Sequence, residues 1–256
     1  MSATSTVWSN LPLVAGVELL GHDANGLGAL SKPAGVLSHP NERGQDRGRA
    51  LLDAEYDLDA ECYVWTDAAS GDVRRLWLLN RLDSATSGVI LVAADGKLAA
   101  DVKAQFQRKA VAKTYVALVF GTPRAPRELW RDRLAVERKG GVVRSGTAGG
   151  HIPAESECRV LRATRGPQPF ALLELKPHTG RTHQLRVQCA KRQLPIVGDQ
   201  TYGDFRKNRE FAKAAKTKRL FLHSLETQVR YLWAGREWRF AAKAALPGEF
   251  EAASRP

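Results

Sequence analysis

The sequence predicts an α+β fold built on a mixed, mainly antiparallel bent sheet, and three observations lead there. Short apolar or β-branched runs outnumber helical stripes. Strands and helices follow one another irregularly instead of alternating. No Gly-rich phosphate loop or dinucleotide fingerprint follows any strand. A chain of 256 residues, 43% of them apolar, is long enough to bury one sizeable core.

Val89-Ile90-Leu91-Val92-Ala93 starts directly after Ser87-Gly88 and reads as a buried strand. Leu98, Val102 and Phe106 recur every four residues, which predicts an amphipathic helix from Lys97 to Arg108. Tyr115 to Phe120, Cys158 to Leu161, Phe170 to Leu175, Arg219 to His223 and Trp238 to Phe240 are further strand signals. A second helix is expected from about Arg181 to Gln193, with Thr179 near its cap and Pro195 past its end. Lys207 to Lys218 predicts a third, strongly basic helix. Two Gly-rich stretches, Asn41 to Arg49 and Lys139 to Gly150, read as loops too short to divide the chain, so one domain is expected.

Charge narrows the partner. With 39 Lys and Arg against 27 Asp and Glu, the net charge is +12, a field that attracts polyanions. The basic residues are spread along the whole chain, which fits nucleic acid better than a membrane surface. No apolar run approaches the ~20 residues of a membrane span, and the opening residues lack a secretory pattern. Cys62, Cys158 and Cys189 are odd in number and widely spaced, so a reducing, cytoplasmic setting is expected. None of the six histidines pairs at helical metal-ligand spacing, and no G-x-S-x-G or H-E-x-x-H stands anywhere in the chain.

Three segments remain as candidates for chemistry. Asn80-Arg81-Leu82-Asp83-Ser84-Ala85-Thr86-Ser87-Gly88 puts a carboxylate and a guanidinium at a turn before a strand. As composition alone, it reads more readily as an exposed Arg/Asp pair at a turn. Lys113-Thr114-Tyr115 places Lys113 and Tyr115 on one strand face, where the Tyr suits core packing or base stacking. Thr179-Gly180-Arg181-Thr182-His183-Gln184-Leu185-Arg186 opens a helix with two arginines, which suits an anion or simply solvent.

In this order and spacing, the three segments resemble the RluA-type RNA pseudouridine synthases. Softer matches are Ser31 to Ser38, Pro195-Ile196-Val197-Gly198-Asp199 and Leu220-Phe221-Leu222-His223. The resemblance implies a catalytic domain over 26–242, an extension over 1–25 packing on it and a tail over 243–256, with no separate S4-type RNA-binding module. Asn80 stands where the family usually has His, and Gln188 stands where a His often follows the third segment.

What the resemblance implies for mechanism is specific. The target uridine must leave its stack and enter a pocket, because a stacked base cannot rotate. Asp83 would be the nucleophile, kept ionised by Arg186, and Tyr115 would stack on the flipped uracil. Arg81 would fill the gap in the RNA stack. Thr86, Lys113, Arg181, His183, Gln184 and His223 complete the expected RNA-binding set. The isomerisation needs neither metal nor organic cofactor, the expected partner is ribosomal RNA or tRNA, and a monomer is the default. A catalytically inactive RNA-binding helper on the same scaffold is the alternative, and an enzyme acting on free nucleotides is a weaker one.

Overall fold

A computed structural model of the chain describes residues 7–41, 46, 48–139, 142–146 and 151–253. Parts of both Gly-rich loops (42–45, 47, 140–141 and 147–150) and the ends at 1–6 and 254–256 lie outside the described residues. In chain order the strands are β1 (Glu18–His22), β2 (Leu27–Lys32), β3 (Glu55–Asp57), β4 (Cys62–Thr66), β5 (Val73–Leu78) and β6 (Ser87–Ala93). They continue with β7 (Ala112–Phe120), β8 (Arg127–Lys139), β9 (Val142–Gly146), β10 (Ile152–Ala163), β11 (Phe170–Pro177), β12 (Leu222–Trp233) and β13 (Arg236–Lys243). The helices are α1 (Gly96–Gln107), α2 (Gln184–Lys191), α3 (Phe205–Ala215) and α4 (Gly248–Ala253).

Two compact units emerge, Met1–Val111 with Glu226–Ala244, and Ala112–Leu225 with Ala245–Pro256. Each is assembled from discontinuous segments, which is why no composition break announces them. In the first unit, β3 pairs with β4, β4 with β5 and β5 with β6, while β2 lies on the other side of β6 and carries β1. These ladders are antiparallel, and an isolated parallel bridge joins Leu37 to Ala50. The apolar run of β6 explains its place: all seven of its residues are buried, as expected of a strand covered on both faces. Its Val89 and Leu91 join Leu27, Leu98, Val102, Val229 and Tyr231 in one cluster. Each such side chain contributes ~1.5–3 kcal/mol on burial. Helix α1 packs there through Leu98, Ala99 and Val102, and Asp95 caps it by accepting from the Lys97 and Leu98 amides.

In the second unit, β7 pairs with β11, β11 with β10, β10 with β8 and β8 with β9, all antiparallel. Its core includes an aromatic cluster. Phe211 of α3 meets Phe120, Phe170 and Phe221, and Phe221 meets Phe250 of α4.

Three boundaries differ from the sequence expectation. Helix α2 begins at Gln184 rather than near Arg181, because His183 sits in the left-handed region at φ 54° and breaks the helical run. Thr179 therefore caps no helix. Helix α3 ends at Ala215 because Lys216 turns left-handed at φ 53°. The Arg219–His223 signal becomes a strand only from Leu222. Before that, the Phe221 amide donates to the Val197 carbonyl and its own carbonyl accepts from the Leu118 amide.

Candidate active site

The Asp83 segment is held through its backbone. The Ser38 hydroxyl donates to the Leu82 carbonyl at 2.8 Å and accepts from the Leu82 amide at 3.0 Å. The Lys32 ammonium, almost wholly buried, donates to the carbonyls of Ser84, Pro33 and Val36 at 2.9, 3.0 and 2.7 Å. The Gly35 amide also donates to the Ser84 carbonyl, and the Thr86 amide closes the turn onto the Asp83 carbonyl. The main chain on both sides of Asp83 is thus fixed, while its side chain stays partly exposed. Asn80 braces the turn from the strand side, its side-chain oxygen accepting from the Leu91 amide of β6 at 2.8 Å.

Arg81 is exposed, and its Nη1 lies 3.1 Å from His39 Nε2. A guanidinium can only donate, so Nε2 accepts and Nδ1 carries the proton toward the Pro40 carbonyl at 2.7 Å. The His39 ring stacks on Tyr56 with centroids 5.1 Å apart and planes 14° off parallel. Tyr63 meets Tyr56 edge-on and donates to the Ser38 carbonyl. Arg81 therefore stands beside an aromatic column that is itself bonded to the Asp83 loop.

In the second unit, Lys113 and Tyr115 occupy the start of β7, with Tyr115 opposite Leu175 of β11. The Lys113 ammonium approaches Gly180, where an added Cβ would lie 3.5 Å away, and burial lowers its proton affinity below the ordinary lysine range. Arg181 is exposed and donates to the Pro153 carbonyl, and His183 Nδ1 lies 2.9 Å from the Tyr202 hydroxyl.

Arg186 is anchored by a bidentate ion pair. Nε and Nη2 donate to the two carboxylate oxygens of Asp199, each at 2.8 Å, and its guanidinium lies 5.1 Å from the Tyr202 ring centre. Asp199 also accepts from the Thr201 and Tyr202 amides. Burial pushes the Asp199 carboxyl up, but the Arg186 bonds and charge together with those amides outweigh it and hold it below the ordinary range. Asn208 of α3 completes the clamp by accepting from the Gly198 amide and donating to the Asp199 carbonyl. Gly198 itself stands at φ +79°, with the Arg219 carbonyl 1.8 Å from where a Cβ would be, so only glycine fits. Asp199 and Asn208 escaped assignment from sequence. The Gly198-Asp199 pair was the available signal.

Other expected RNA contacts lie inside. Thr86, Gln184 and His223 are 2, 4 and 2% exposed, which removes them from the surface and favours positioning over direct contact. Gln184 is engaged by Thr179, the Arg181 amide, Ser156 and the Glu155 carbonyl. His223 meets Phe250 edge-on at 6.1 Å. Gln188 is also wholly buried.

Comparison with known proteins identifies the family and the fold. Residues 27–191 match the family described as RNA pseudouridylate synthase. The tRNA pseudouridine synthase C of Vibrio vulnificus is 31% identical over 212 residues, covering 77% of this chain and 79% of the relative. The uncharacterized RNA pseudouridine synthase YhcT of Bacillus subtilis is 30% identical over 213 residues, covering 82% of this chain and 66% of its own length. The solved human RNA pseudouridylate synthase domain containing 1 superposes with a TM-score of 0.64 at 22% identity, covering 90% of this chain and 84% of that one. At that identity the likeness speaks for the fold, an α+β pseudouridine synthase fold with a mostly antiparallel sheet. Sequence match and fold together place this chain in the RNA pseudouridylate synthase family.

Proposed function

We propose that this protein isomerises specific uridines of a structured RNA to pseudouridine, with Asp83 as nucleophile. The observation that carries the reading is the Asp83 loop, whose main chain is fixed on both sides of that residue by Lys32, Ser38 and Gly35. A nucleophile needs its place set in advance, and a clamp on the main chain to either side sets it.

In the reaction the N1–C1′ bond breaks, the uracil turns, and C5 bonds to C1′. C5 then loses its proton and N1 gains one, so no electrons are exchanged with a cofactor. Arg186 serves as the cation that keeps the reacting carboxylate ionised, and Asp199 holds its Nε and Nη2. Tyr115 stacks on the flipped base and assists proton loss from C5. Arg81, already beside the His39–Tyr56 stack, takes the place of the extruded base. Lys113, Arg181 and His183 contact the RNA backbone or the pocket. The protein acts as a monomer in the cytoplasm.

Relatives called tRNA pseudouridine synthase C make tRNA the first substrate to try, with ribosomal RNA second. The deciding experiment maps pseudouridine by carbodiimide chemistry in total RNA from cells with and without the gene. Sites lost on deletion and restored by wild type but not by Asp83→Asn support the proposal. An unchanged map in cells that express the protein would sink it in favour of a non-catalytic RNA-binding role.

A further inference from the structure

Beneath the Thr179–Arg186 segment runs a chain of buried polar groups that the reaction scheme above does not use. Asp132 of β8 is its anchor, accepting from Lys191 at 2.7 Å, Arg192 at 2.9 Å and Gln188 at 2.9 Å. Burial pushes the Asp132 carboxyl up, but those three donors outweigh it and hold it below the ordinary range. A carboxylate only accepts, so Gln188 must turn its amide nitrogen toward it and its oxygen toward Ser156. The Ser156 hydroxyl then donates to Gln188 Oε1 at 2.7 Å and accepts from Gln184 Nε2 at 2.9 Å. That leaves Gln184 Oε1 to accept from the Thr179 hydroxyl at 2.6 Å and from the Arg181 amide at 3.1 Å. Thr179 is fixed in the same sense, because an amide oxygen only accepts and the Thr179 hydroxyl must donate to it while accepting from the Glu155 amide at 3.0 Å.

Every member therefore points one way, from Thr179 to Asp132, and Ser156 and Gln188 are wholly buried. We propose that Gln188 and Ser156 are positioning residues for this reaction. The relay couples the orientation of α2, which carries Arg186, to the turn at Thr179-Gly180-Arg181. Position 188 needs a side chain that donates and accepts at once. A methionine there fills the space and does neither. A neutral imidazole does both, but an imidazolium only donates and would leave the Ser156 proton without its acceptor. Glutamine meets the requirement without titrating.

The inference rests on the reading of Arg186 as part of the catalytic machinery. The test measures tritium release from [5-³H]uridine-labelled total tRNA, prepared from cells lacking the gene, by the full-length wild type, Gln188→Met, Gln188→His and Ser156→Ala. We expect Gln188→Met to lower kcat about 10-fold or more while KM stays within about 2-fold. Ser156→Ala shows the same split and stands in if Gln188→Met does not fold. The ratio of Gln188→His to wild-type kcat rises with pH over roughly 5.5 to 8.5 as the imidazole loses its extra proton. The inference is overturned if Gln188→Met and Ser156→Ala keep kcat within about 2-fold of wild type, or if the Gln188→His ratio is flat. Inactive wild type would count against the functional reading. Hydrogen exchange at the Arg181 amide then decides the relay, since Gln188→Met speeds it if the coupling exists and leaves it unchanged otherwise.

Discussion

The Asp83 loop and the Arg186 helix solve the same problem by opposite means. Around Asp83 the main chain is held, with Lys32 and Ser38 serving the backbone groups of Leu82 and Ser84. Arg186 is held by its own side chain, gripped bidentately by Asp199, which Asn208 in turn fixes. The first arrangement sets the course of the main chain that carries the carboxylate, which suits a group that must be placed before it reacts. The second commits part of a guanidinium permanently and suits a group that stays charged throughout. A clamp on the main chain sets where a group sits, and a clamp on the side chain also sets its charge partner.

The sharpest way to break this comparison is at the nucleophile. Asp83→Asn keeps the scaffold and should abolish isomerisation, by at least about 1,000-fold in kcat, with RNA affinity nearly unchanged in a filter-binding assay. Next is the backbone clamp. Lys32→Met strands the carbonyls of Pro33 and Val36, leaves that of Ser84 to the Gly35 amide alone, and should cost ~3 kcal/mol in urea unfolding. A midpoint equal to wild type would show that the ammonium does not hold the loop.

Asp199→Asn addresses the side-chain clamp and carries a pH signature. The folded Asp199 carboxyl lies below its unfolded value, so its contribution is present above about pH 4 and is lost as pH falls through the lowered folded value. Asp199→Asn should therefore be less stable than wild type at neutral pH by about 2 kcal/mol, and the gap should close on acidification. A gap constant from pH 7 to about pH 3 would assign the stabilisation to shape rather than charge. The smallest effect is expected at Asn80→Ala, which loses one bond to the Leu91 amide and about 1 kcal/mol, read as a lowered melting temperature.

Legibility followed locality. Val89 to Ala93 reads as a strand because its apolar run needs no partner to be recognised, and α1 follows from the stripe of Leu98, Val102 and Phe106. Strand β8 escaped, since Arg127 to Lys139 mixes charged and apolar residues and becomes a strand by pairing with β10. The start of α2 was misplaced because a left-handed His183 cannot be read from residue type. Thr86, Gln184 and His223 carried motif identity but not depth, so their burial was invisible.

The local pattern by itself determined the fold class, the basic character and the three segments that place the chain in its family, because these depend on residue type and short spacing. Only the tertiary structure decided that Asp199 grips Arg186, that Lys32 locks the loop around Asp83, and that Gln188 reaches Asp132 from 56 residues away. Those pairings satisfy buried charges and amides that must each find a partner, and the partner is set by which strands lie side by side.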